Sequence, residues 1–184
     1  MDLIMPVVAT ILNGVGLPQD ETHAQAVEAC NSAIDALAAA MGVLHGDMTE
    51  AERAIVNYYF FLGGDEPVPQ QVINVLAATR AAIMQSNITV VIGWFNWVNA
   101  ATQPHTINLS RAVILRQQDR VRLYIHEATH LYAQTLDHHE RGYCSTKAAT
   151  AGNYRAPGLT AAESLVNADS FAFAAVRLAG IPIL

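Results

Sequence analysis

The chain has 184 residues and a formal net charge of −6, with 52% hydrophobic and only 14% charged residues, a composition that suits one globular domain with a sizeable core and excludes a disordered segment. Its ten basic residues are scattered along an acidic chain, which excludes a nucleic-acid backbone as the main partner, because phosphate binding needs clustered Lys and Arg. Every long apolar run is interrupted by charge, Asn or Gly, so no membrane crossing and a soluble protein are expected.

The first stretch, MDLIMPVVATILNGVG, is apolar, but Asp2 stands where a secretory leader carries basic residues. It reads as a core segment or arm, and a secreted destination, or export by a leaderless route, stays open. From Glu21 to Met41, apolar residues recur at Ala24, Val27, Cys30, Ile34 and Leu37, and with the Ala richness this spacing predicts a helix. Thr49 with Glu52 forms a capping-box pattern for a second helix through Tyr59, stopped by Phe60-Phe61-Leu62-Gly63-Gly64. A third helix is predicted over 68–85. Between Asn87 and Leu115, ITVVIGWF and HTINLSRAVIL are β-branched and punctuated by Gly, Asn and Pro, which predicts two or three short strands.

Asp119 is the expected cap of a helix running to about Gln134, with apolar residues at Val121, Tyr124, Ile125, Ala128, Leu131 and Tyr132. Residues 136–158 read as a long loop, of the kind that carries function more often than not. Thr160 and Glu163 repeat the capping-box pattern and open a last helix through about Ala179, ended by Gly180 and Pro182. The fold expected is α+β, mostly α, with a small sheet beside the helix that bears residues 126–130. A single domain over 1–184 is expected, with an N-terminal arm and helix over 1–48 and the functional core over 49–184. Cys30 and Cys144 could pair in an oxidising compartment or remain two thiols in a reducing one.

The chemistry concentrates in HEATHLYAQTLDHHERGY, residues 126–143, which hold four His, two Glu and one Asp. His126, Glu127 and His130 make H-E-x-x-H. On a helix, positions i and i+4 share a face, so both imidazoles can bind one Zn²⁺ while Glu127 beside them reaches a water on the metal. The bland alternative is an amphipathic helix with satisfied histidines, but the ligand-rich loop directly after it favours the metal. A catalytic zinc keeps three protein ligands and one open position, and from the residues alone the third could be Asp137, His138, His139, Glu140, Glu163 or Asp169. The E-x-x-x-D pattern of thermolysin-type enzymes is absent, since Asn167 stands four residues after Glu163. The metzincin pattern is absent too, with Leu136 sixth after His130.

The stretch resembles the aspzincins, the deuterolysin and peptidyl-Lys metalloendopeptidase family, in which H-E-x-x-H is followed by G-T-x-D-x-x-Y-G and Asp is the third zinc ligand. Thr135-Leu136-Asp137 matches T-x-D, and Asn167-Ala168-Asp169 matches the family's Asn-Ala-Asp segment. NYYFFLGGD and HTINL are similar to its upstream elements, so the resemblance covers roughly 50–178. It departs at Gln134, which replaces the Gly, and at Glu140, which replaces the Tyr while Gly142-Tyr143 follows three residues later.

The resemblance implies a zincin-like metallopeptidase: zinc on His126, His130 and Asp137, Glu127 as general base, and Tyr143, with Tyr154 in reserve, stabilising the oxyanion. The implied substrate is a protein or peptide, laid as an extended strand along an edge near Thr106–Ser110. In the lysine-specific branch, acidic groups receive the basic residue after the scissile bond. Asp169 matches one of them, while the second position is Ala172. The other reading of Asp169 is internal, bonded to the loop after Asp137. His138 reads as a ligand, an outer partner or a rim residue, and His139 and Glu140 as solvated loop groups. Two further functions are a narrow-specificity protease effector or toxin, and a catalytically silent zinc-binding interaction module.

Overall fold

The computed structural model describes residues 7–11, 19–85, 88–93, 106–110, 117–138, 141–144, 154 and 158–183. The order is β1 (Val7–Ile11), α1 (Gln19–His45), α2 (Glu50–Phe60), α3 (Gln70–Gln85), β2 (Ile88–Gly93), β3 (Thr106–Ser110), α4 (Gln117–Ala133), the single turn α5 (Ala161–Ser164) and α6 (Ala168–Leu178). Helix dominates. The three strands form one parallel sheet in the order β1-β2-β3, with Val7 opposite Ile88 and Thr89 opposite Thr106, so β3 lies at an edge. The apolar N-terminal arm thus contributes a strand, because a short β-branched run finds its partner only far along the chain.

Helix α6 is the centre of the core. Its residues Ala168 to Val176 and Leu178 are all buried, and a helix apolar on every side belongs inside a domain rather than on its surface. Helix α4 packs against it and also against α1, α3 and β3. Small residues along α1 (Ala26, Ala29, Ala33, Ala36 and Ala40, each at most 1% exposed) let its neighbours approach closely. By length and composition alone, Ala24–His45 would suffice to cross a bilayer, although its charged residues suggested otherwise, and just under half of that window is buried inside the protein. Rings fill the space between α2 and α6: Phe60 lies 5.2 Å from Phe171, Tyr59 5.9 Å from Phe173, and Tyr154 5.9 Å from Tyr59.

Both capping boxes form. Thr49 and Glu52 start α2, and Thr160 and Glu163 start α5, each with the reciprocal pair of side chain to backbone bonds. Two boundaries differ from the sequence reading. Helix α4 begins at Gln117, so Asp119 lies inside its first turn rather than capping it. Helix α2 does end within the 60–64 stretch expected to stop it, with Phe61 in the left-handed region (φ 57°). The last helix is two helices, broken at 165–167, because the backbone there pairs with another segment, as described next.

Candidate metal centre

Helix α4 turns one stripe of side chains, Arg122, His126 and His130, towards α6 and the loop that follows. His126 and Glu127 are buried, at 5% and 8% exposure. The chain then leaves the helix through Gln134, whose φ of 55° is left-handed, the usual way to end a helix and reverse direction. Thr135 is anchored to the last turns of α4: its hydroxyl donates to that of Thr129 at 2.9 Å, and Thr129 donates to the carbonyl of His126 at 2.8 Å.

Leu136 then bridges to the α5–α6 junction, donating to the Val166 carbonyl at 2.7 Å and accepting from the Ala168 N–H at 3.0 Å. This pairing occupies the backbone groups that a continuous helix through 165–167 would use, which accounts for the break. It also returns Asp137 over the two histidines.

The result is a compact donor set. Asp137 Oδ1 stands 3.4 Å from Nε2 of His126 and 3.3 Å from Nε2 of His130, and the two Nε2 atoms are 3.1 Å apart. Ligand atoms at about 2.0–2.1 Å from a tetrahedral centre stand about 3.3–3.4 Å from one another, so all three separations fit a single ion. The far ring nitrogens have other partners. Nδ1 of His130 lies 2.7 Å from the Thr135 carbonyl oxygen and Nδ1 of His126 lies 2.7 Å from Asp169 Oδ1. Both must donate there, which leaves the Nε2 lone pairs pointing at each other and at a carboxylate. A metal ion, or a proton held between them, reconciles three converging acceptors. Among the described residues, His126, His130 and Asp137 are the group able to hold a metal ion.

Electrostatics tell the same story in the absence of a metal. Burial alone would push His126 down, but its hydrogen bonds with Asp137 and Asp169 and the nearby carboxylates outweigh this and raise it to about 10. A proton then meets the demand that a metal would meet. Burial would raise Asp137, yet both imidazoles hold it far below the usual carboxylate range. Burial pushes Glu127 up, and the Asp137 and Asp169 charges add to the shift against the opposing effect of the two histidines.

Of the two tyrosines left open by the sequence, Tyr143 is the one at the cluster. Its phenol hydrogen-bonds the Asp137 carboxylate and is pushed up to about 12, by burial first and that carboxylate second. Tyr154 sits in the aromatic core, its hydroxyl donating to the Tyr59 carbonyl and sharing a 2.9 Å bond with Ser170. Gly142 lets the loop pass close to α6. A Cβ there would collide with Asn167 Oδ1 and stand 3.0 Å from His138, while Asn167 Nδ2 donates to the Gly142 carbonyl at 2.9 Å.

His138 faces Glu163 at 3.8 Å, and Glu163 is engaged in capping α5 and binding Arg141 at 3.2 Å. Neither joins the donor set. His139 and Glu140 lie outside the described residues. Asp169 does not stand where a substrate side chain could meet it: it is 3% exposed, bonded through Oδ1 to His126 and Arg122 and through Oδ2 to the Cys144 N–H. Of its two readings, the internal one describes this position. Arg122 was overlooked, although its place four residues before His126 was the signal that it shares the stripe. Cys30 is buried, Cys144 half-buried, and both are free thiols.

Compared with known proteins, the chain matches no family model, and no curated protein and no solved structure matches it.

Proposed function

We propose that the chain is a zincin-like zinc metalloendopeptidase of aspzincin type. The observation that carries this reading is the convergence of two imidazole Nε2 atoms and the Asp137 oxygen at separations of 3.1, 3.3 and 3.4 Å, with both Nδ1 atoms bonded elsewhere. His126, His130 and Asp137 would hold the ion, and a set of three protein ligands is that of hydrolytic rather than structural zinc. When bound, zinc supplies Lewis acidity towards water and a substrate carbonyl.

Glu127 follows His126 directly, and its raised affinity for a proton suits a general base that takes one from the attacking water and passes it to the leaving amine. Tyr143 releases Asp137 and donates its hydroxyl to the oxyanion. Strand β3, at the edge of the sheet among the described residues and packed beside α4, would offer its backbone to an extended peptide. A preference for Lys or Arg after the scissile bond no longer has Asp169 to rest on, and no basic preference is included.

The test is elemental analysis paired with casein or peptide hydrolysis before and after chelation and zinc restoration. About one zinc per chain is expected, with activity lost to the chelator and recovered with the metal. Glu127→Gln is expected to abolish turnover while leaving the zinc in place, and retained activity in that variant would remove Glu127 from its role.

A further inference from the structure

Asp169 is among the most deeply buried charged groups in the described structure, and its two oxygens serve different masters. Oδ1 accepts from Nδ1 of His126 at 2.7 Å and from Nη1 of Arg122 at 3.3 Å, and Oδ2 accepts from the backbone N–H of Cys144 at 2.9 Å. We infer that the Asp169–Arg122 pair is a positioning unit that couples the metal ligand His126 to the loop carrying Tyr143. This inference rests on the metal reading above and adds a regulation of affinity and loop position by one carboxylate.

The imidazole of His126 can rotate about two torsions, and what fixes the direction of its Nε2 lone pair is the acceptor held against Nδ1. Cys144 follows Tyr143 directly, so the second oxygen sets where that loop runs past the cluster. A carboxylate this buried needs a compensating charge. Arg122 supplies it from one turn earlier on α4, its guanidinium held over the Phe173 ring at 4.6 Å. Asn167 and Ala168, immediately before, bind the Gly142 carbonyl and the Leu136 carbonyl. The start of α6 therefore holds the loop before and after Asp137, and Asp169 alone in that segment also reaches a metal ligand.

The experiment uses the full chain and its Asp169→Asn variant, with zinc affinity measured by competition against a chromophoric chelator and amide exchange followed at Cys144. The amide oxygen of Asn can still accept from His126, but its NH₂ turns a donor towards the Cys144 N–H. Zinc binding 10- to 100-fold weaker than wild type is expected, in the range found for outer-shell partners, together with faster exchange at Cys144. Should the variant not fold, Arg122→Gln takes its place, with a smaller loss in the same direction. Wild-type zinc affinity in a folded variant overturns the inference and leaves the metal site standing. Failure of the wild-type chain to bind zinc overturns both.

Discussion

A phenol can serve an oxyanion only if its resting partner lets it go. Tyr143 rests on the Asp137 side chain at the edge of the cluster, whereas Tyr154 is bound to a backbone carbonyl within the aromatic core. Tyr143→Phe is therefore expected to lower kcat by about 100- to 1,000-fold, the usual loss for one oxyanion donor, with KM and zinc content little changed. Tyr154→Phe should register in the melting temperature instead. Unimpaired kcat in Tyr143→Phe would leave the oxyanion to other donors. At this scale the two histidines and Glu127 were readable from helical spacing alone, whereas Asp137 stood out from five other candidate ligands only through the family resemblance. The position of Asp169 was not, since α6 is apolar all round and no polar face tells which way its one carboxylate points.

The end of α4 carries a strain at Gln134, where the resembled motif has Gly. Gln134 holds a left-handed conformation (φ 55°) where glycine is usual. That conformation costs a residue with a side chain about 1–2 kcal/mol, and glycine loses about 0.5–1 kcal/mol in ordering its freer backbone. Gln134→Gly should therefore gain about 0.5–1 kcal/mol and raise the melting temperature by about 1–4 °C in a protein of this size, with zinc binding unchanged. A lower melting temperature would show that the Gln side chain contributes more than the strain removes. Helix positions were largely legible from Ala richness, apolar spacing and two capping boxes. The break at 165–167 was not, because LTAAESLVNADS contains no Gly or Pro to mark it. Backbone pairing with Leu136 imposes it, and such pairing over a distance leaves no local trace. Strand β1 escaped for the same reason.

For the molecule as a whole, the cluster ties stability to pH in opposite senses with and without metal. In chelator-stripped protein the folded value of His126, about 10, lies above its ordinary 6.5. Its contribution is therefore complete below pH 6.5 and fades as pH rises towards 10. Asp169 and Asp137 are lowered from 3.8 despite burial, by His126 together with Arg122 for the first and with His130 for the second. Their contributions hold above that value and are lost as acid protonates them. The stripped protein should melt highest between about pH 4 and 6.5, and zinc, which needs both Nε2 atoms free of protons, should stabilise more as pH rises. A stripped protein that gains melting temperature from about pH 7 to 9 would contradict this assignment. The break between α5 and α6 also has a bearing on biosynthesis. The histidines and Asp137 leave the ribosome well before Val166, Ala168 and Asp169, whose groups lock Leu136 and His126 in place. A nascent chain therefore exposes His126, His130 and Asp137 before it can organise them, and on the proposed zinc reading tight loading must await the last helix.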